Sequence, residues 1–292
     1  MLFSSWGYLL FLAFFVILHW LLPYGARIGM IVVASLCFYA MWRIEFCLLL
    51  IFSAGVDFIC ARQIDSTEDA RWRKAWVATS LVINLGLLAF FKYTYFVLSN
   101  INAISLKVGY GIIPFEQWRF RIILPLGISF YTFQTISYTI DVYRKVIKPT
   151  DHFLTFLAYV IFWPQLIAGP ILRAGEVIPQ LKTHRRFSAK LINEGLWLLL
   201  AGLFMKVVIA DNLNDMVAFW FNADPHSLTA IDVWIAAFLF GMQIYCDFGG
   251  YSNIAIGSAK MLGIHLPDNF IWPYLAKSPK EFWQRWHISL SS

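Results

Sequence analysis

The residues best suited to do chemistry lie late in the chain. His287 stands in EFWQRWHISLSS (281–292), directly after Arg285 and Trp286. Imidazole titrates near neutral pH, so it can take a proton from a hydroxyl or orient a reacting carbonyl. Upstream, YCDFGGYSNI (245–254) gathers Asp247, Tyr251 and Asn253 behind an apolar run. A carboxylate there is costly unless it is paired or faces water, so Asp247 is either a functional residue, a helix-end cap or half of a structural ion pair. The two glycines that follow permit a tight turn or a close backbone approach. Gln134 belongs to a third stretch, LPLGISFYTFQTISYTIDVYR (124–144), together with Ser129, Tyr131, Thr132, Thr135, Ser137, Tyr138 and Thr139. Interhelical hydrogen bonds account for some of these groups, but their density points to a polar, protein-lined interior.

A plainer reading of His287 stands beside the chemical one. On a continuous helix, Phe282, Trp283, Trp286 and Leu290 make an apolar stripe, with Lys280, Gln284 and Arg285 over the polar side. His287 then lies on the apolar flank, as a packing histidine of an interfacial helix. His19, His152, His184, His226 and His265 have no partner suggested by spacing and are expected at interfaces or in loops. Cys37, Cys47, Cys60 and Cys246 form no CxxC pair and no zinc spacing, so they are expected to be small apolar side chains, and no metal site is expected. Lys92, in AFFKYTYF, is expected to snorkel.

The elements that must position these residues follow from composition. The chain is 60% hydrophobic, 18% aromatic and 14% charged, against about 25% charged for a soluble domain. It therefore cannot cover itself with polar groups and is read as an all-α polytopic membrane protein. The net charge of +6 sits in short loops between apolar runs, where it sets topology and meets anionic headgroups rather than nucleic acid. The first apolar run has neither a basic n-region nor a small-residue cleavage site, and reads as a retained helix. Expected spans are 2–22, 28–42, 46–60, 76–98, 122–141, 191–210 and 229–246, the second and third as a tight hairpin. Basic loops at 61–75, 142–151 and 173–190 are expected on the cytoplasmic side, and the loop 211–227, which lacks Lys and Arg, outside. The apolar run 152–172 lies between two basic loops and is broken by Pro164, Gly169 and Pro170. It is expected to be re-entrant.

The stretches 124–144, FWPQLIAGPILR (162–173), CDFGGYSNIAIG (246–257), LPDNFIWPY (266–274) and EFWQRWHISLSS occur in the order seen in membrane-bound O-acyltransferases. The chain resembles that family over its whole length, and within it the membrane subunits of bacterial alginate O-acetylation. The resemblance implies a ring of tilted helices around a thinned centre, with re-entrant segments. It implies acetyl transfer from a cytosolic donor such as acetyl-CoA, used as co-substrate with no bound cofactor, to hydroxyls of an exported polysaccharide. It places His287 in the tunnel wall and makes Asp247, Tyr251, Asn253, Gln134, Arg285 and Trp286 candidates for substrate contact. It implies a multi-pass protein of the bacterial inner membrane, in contact with lipid and working with periplasmic or extracellular acyl-transfer proteins. In the family the main catalytic histidine comes later, so residues 1–292 are expected to be a single membrane domain incomplete at its C-terminus. Gly249 and Asn253 depart from the family's commoner serine and acidic residue, which puts local hydrogen bonding in question. The competing readings are D-alanyl transfer to another envelope glycan and, from different classes, a transporter or a non-catalytic scaffold.

Overall fold

The computed structural model describes residues 3–111, 113–114, 121–166 and 169–291. Ile167 and Ala168 of the FWPQLIAGPILR motif, and Ser292 at the chain end, lie outside them. Two short helices open the chain, α1 (Trp6–Leu21) and α2 (Tyr24–Ala40), followed by α3 (Glu45–Ser66) and α4 (Ala70–Val108). The long α4 starts on the side chain of Asp69, which accepts from the Arg71 N–H at 2.7 Å, and ends at Gly109 in the left-handed region. Next come α5 (Ile128–Tyr143), α6 (Phe153–Val160), α7 (Ala174–Leu181) and α8 (Ala189–Leu203). A π-helical turn, Phe204–Ala210, joins α8 directly to α9 (Asp211–Phe221). The expected loop 211–227 is therefore mostly helix, because the apolar rod from Ala189 continues to Phe221 without a breaker. α10 (Ala230–Met261) opens with a capping box of Thr229 and Asp232. The short α11 (Pro279–Arg285) and α12 (Ile288–Ser291) finish the chain.

Among the described residues, Glu45–Ser66, Ala70–Val108, Ala189–Phe221 and Ala230–Met261 are long and apolar enough to cross a membrane. Together with the apolar α1 and α2 they make this an all-α, multi-pass membrane protein. α5 begins at Ile128 rather than near 122, since Pro125 and Gly127 precede it and Gly127 takes φ 71°. The α6 segment has eight residues, a rise of about 12 Å against a hydrocarbon thickness of about 30 Å. Its first turn leaves Leu154 exposed, but Phe156 through Trp163 are buried, and the Trp163 ring meets Phe11 edge-on at 5.8 Å.

The pair α8 and α10 packs by glycine. A Cβ on Gly195 would lie 2.6 Å from the Gly257 carbonyl oxygen, and one on Gly202 would lie 2.5 Å from that of Gly250. Gly250 of the CDFGGYSNI stretch therefore serves close backbone approach inside a continuous helix, Gly249 beside it meets only side chains, and the tight turn does not occur. On the other side of the molecule, α3, α4 and α5 meet around Asp57. This carboxylate is fully buried and accepts from Ser80 Oγ at 2.5 Å, from Asn84 Nδ2 at 2.8 Å and from Thr139 Oγ1 at 3.4 Å. Thr132, Gln134, Thr135 and Thr139 on α5 are all buried in protein, as the polar density of that stretch predicts.

Candidate active site

His287 does not ride on a continuous helix. α11 stops at Arg285, Trp286 is extended, and His287 takes φ 47° before α12 begins. The reason lies in a distant segment. The Ile271 N–H donates to the Arg285 carbonyl at 3.0 Å and the Ile288 N–H donates to the Asn269 carbonyl at 3.0 Å, forming a short antiparallel bridge. Backbone groups committed to that bridge are lost to a helix. The expected apolar stripe is broken with it, and Trp283 and Leu290 are left 61% and 62% exposed. A non-glycine residue at positive φ costs about 1–3 kcal/mol and persists only where its surroundings over-determine it.

Those surroundings tie four of the sequence motifs together. Asn269 Nδ2 donates to Ser252 Oγ at 3.2 Å, and Ser289 Oγ donates to Asn269 Oδ1 at 2.8 Å. The Ile171 N–H in turn donates to Ser289 Oγ at 2.9 Å. Within this clasp the His287 ring is buried, 4.9 Å from Phe248, 6.4 Å from Phe130 and 6.5 Å from Phe270. Burial lowers its pKa below the ordinary histidine value, which keeps the imidazole neutral at pH 7. Its Nδ1 is buried and has no hydrogen-bond partner on another residue.

The other candidates divide. Gln134 faces the same region: its Nε2 donates to the Tyr159 carbonyl at 2.9 Å and its Oε1 accepts from Gln165 Nε2 at 2.7 Å. Both glutamines line a small cavity of about 10 Å³ with Phe130, Gly169 and Ile171. Trp286 packs among Phe270, Tyr274 and Phe282. Arg285 is engaged by Glu281 at 2.6 Å, an i, i+4 pair that also draws the Glu281 carboxyl below its usual pKa, after the larger effect of the Lys277 N–H it accepts. Asp247 lies within α10 rather than at a helix end, and forms an ion pair with Lys206 at 2.6 Å. Lys206 sits in the π-helical turn and also pairs with Asp211 at 2.8 Å. π-Turns concentrate at functional positions. Tyr251, one turn after Asp247 on α10, stacks on Phe3 at 4.9 Å. The two departures from the family pattern meet one side chain: Asn253 Nδ2 donates to Met205 Sδ at 3.5 Å, and a Cβ on Gly249 would come 3.1 Å from Met205 Cε.

Sequence reasoning missed Asp57, Lys206, Asn269, Ser252 and Ser289. Asp57 carried a usable signal, a lone carboxylate inside an apolar span. Asn269, Ser252 and Ser289 carried none beyond membership of their motifs.

The model of the membrane-bound O-acyltransferase family matches residues 144–292, which hold the His287 clasp. The chain belongs to that family. It is 39% identical to the "Probable alginate O-acetylase AlgI" of Azotobacter vinelandii over all of this chain and 58% of the relative. It is 37% identical to the peptidoglycan O-acetyltransferase of Helicobacter pylori over 89% of this chain and 53% of the relative. More distantly, it is 28% identical to the teichoic acid D-alanyltransferase of Bacillus subtilis over 57% of this chain and 42% of that protein. The chain thus spans a little over half the length of the O-acetylating relatives it matches.

Proposed function

We propose that this protein takes part in O-acetylation of an exported polysaccharide at the bacterial inner membrane, moving an acetyl group from a cytosolic donor to a sugar hydroxyl outside. The observation that carries the proposal is the His287 clasp: a buried, strained, neutral imidazole with an unpartnered ring nitrogen, held by residues of four family motifs. An unsatisfied buried polar group costs about 1–3 kcal/mol, and in a native site it marks a place where a ligand group or an ordered water is met.

In this reading His287 positions the acyl carbonyl in a thinned part of the membrane domain, and Gln134 and Gln165 fix the neighbouring wall. The proton of the attacking hydroxyl is left to the later histidine that the family resemblance implies. Acetyl-CoA fits as donor, since a thioester releases its acyl group without a metal. An alginate-like glycan is the acceptor favoured by the O-acetylating relatives, with periplasmic proteins completing the transfer. D-alanyl transfer is the second reading, carried by the resemblance to the teichoic acid enzyme.

The test is the ester content of the glycan exported by cells that depend on this protein. His287→Ala is expected to lower acetate released by mild base by about 10²-fold at unchanged protein level, the scale of a misplaced reactant. Unchanged acetate with the variant would reduce His287 to a packing residue, and alanine in the hydrolysate in place of acetate would favour the second reading.

A further inference from the structure

Two features share the last turns of α1 and the Met261–Leu262 pair. The first is a groove of about 360 Å³ between α1 and α8, lined by Leu9, Leu12, Val16, Leu199, Leu203 and Met261, among other side chains that are all apolar. From Leu9 to Ile17 it follows α1 for about 12 Å. The second is a notch at the end of α1, walled by His19, Arg27 and Arg185 with Tyr24, Gln180 and Thr183. Its volume of about 30 Å³ admits about two water-sized atoms, so a bulky ligand would send in two oxygens and stay outside itself.

The notch is built for negative charge. Arg27 spends Nη1 on the Arg185 carbonyl at 2.8 Å and Nε on the Leu22 carbonyl at 3.3 Å. Arg185 donates to the Gly263 carbonyl and to Gln180 Oε1. No carboxylate lines the notch, and neither guanidinium has an ion-pair partner among the described residues. His19 is 4% exposed, and its Nδ1 has no hydrogen-bond partner. Expected at an interface or in a loop, His19 lies at the end of α1 and is buried in protein, where it lines the notch with both arginines. Trp20 stands between groove and notch, donating to the Met261 carbonyl at 2.9 Å and carrying the Arg27 guanidinium 4.9 Å over its ring. Partly buried positive charge without a counter-ion is costly, and aromatic and basic side chains at a helix end mark the headgroup level.

We propose that groove and notch together hold one anionic phospholipid, its phosphate oxygens on Arg27, Arg185 and His19 and an acyl chain along α1 and α8. A soluble phosphate compound would use the notch alone, whereas only a lipid uses both. Basic pockets between helices on the cytoplasmic side are the usual seats of such headgroups.

Native mass spectrometry of the detergent-purified protein tests the assignment, with phosphatidylglycerol and diacylglycerol as probes. One retained phosphatidylglycerol per chain is expected, and no matching adduct with diacylglycerol. Arg185→Gln is expected to weaken phosphatidylglycerol retention by about fivefold, the value of one basic residue at a membrane surface. Ala13 lines the groove and not the notch, so Ala13→Trp fills the groove alone and is expected to abolish retention while the unfolding midpoint of the lipid-free protein stays put. Equal retention of diacylglycerol, an unaffected Ala13→Trp variant, or displacement of the lipid by millimolar inorganic phosphate would each overturn the proposal.

Discussion

The ring of His287 is held by Phe130, Phe248 and Phe270, while the backbone just after it is held by Asn269, which accepts from the N–H groups of Ile288 and Ser289. Asn269 is the residue on which this depends, since it serves Ser252 and Ser289 with the two ends of one amide. Asn269→Ala leaves both hydroxyls without that partner, at a cost of about 1–3 kcal/mol, and is expected to lower acetylation as His287→Ala does. Asn269→Asp keeps the acceptor for Ser289 and loses the donor to Ser252, so an intermediate loss is expected in the same acetate assay. A pH effect belongs here too. The folded protein holds the His287 pKa below that of the unfolded chain, so folding favours the neutral ring. The stability this histidine permits is full above the unfolded value of about 6.5 and falls as pH drops through it toward the folded value. Thermal unfolding of the detergent-solubilised protein at acid and neutral pH is expected to show a smaller pH dependence in His287→Gln than in the parent. An identical dependence would show that another group titrates.

At the scale of elements, the α8–α10 pair is set by glycines spaced seven residues apart on each helix, Gly195 and Gly202 against Gly250 and Gly257. Each offers its backbone where a Cβ would collide with a carbonyl. Gly202→Val drives side-chain carbons into the Gly250 carbonyl and the Ile254 N–H, and overpacking of this kind costs about 1–3 kcal/mol or more. A lowered unfolding midpoint with reduced membrane accumulation is expected. Gly25→Ala on α2, where an added Cβ meets nothing within 4 Å, is the control expected to leave both unchanged. The same pair positions Asp247 over the π-turn. Lys206→Met leaves Asp211 and Asp247 without their shared cation, and its loss in unfolding midpoint is expected to exceed that of Asp247→Asn, which keeps one ion pair intact.

For the whole molecule, the basic loops set which end faces which compartment. Arg73 Nη2 donates to the Tyr143 carbonyl at 2.7 Å, and Ile147 and Lys148 line one cleft with Gly175 and Lys182. The three basic loops therefore gather at one end. This supports a course in which 152–172 enters and leaves on the same side, as its flanking charges predict. In a background with the native cysteines replaced, cysteines at the exposed positions 151 and 183 are expected to be blocked by a membrane-impermeant reagent only after the membrane that holds the protein is opened. One at 226, near the acidic end, is expected to react in cells with an open outer barrier. Opposite accessibility of 151 and 183 would exclude the re-entrant course.

The amino-acid sequence by itself determined the apolar spans, the membrane class, the buried polar face of α5 and the family, because hydrophobic runs and ordered motifs are local and additive signals. It located the helices of α1, α2, α3 and α4 to within a few residues at most starts, and understated α4, α9 and α10, whose ends are set by caps and by an uninterrupted apolar rod. What only the tertiary structure decided is how the motifs meet. The break at Trp286–His287 exists because Asn269 and Ile271 take hydrogen bonds that a helix would have used, and no periodicity in 281–292 encodes a partner elsewhere in the chain. Ile171 and Ser289 are 118 residues apart, and Asp57 is satisfied by side chains 23 and 27 residues away on another helix. Contacts of that kind arise when helices pack, which is why the candidate histidine was legible as a residue and its geometry was not.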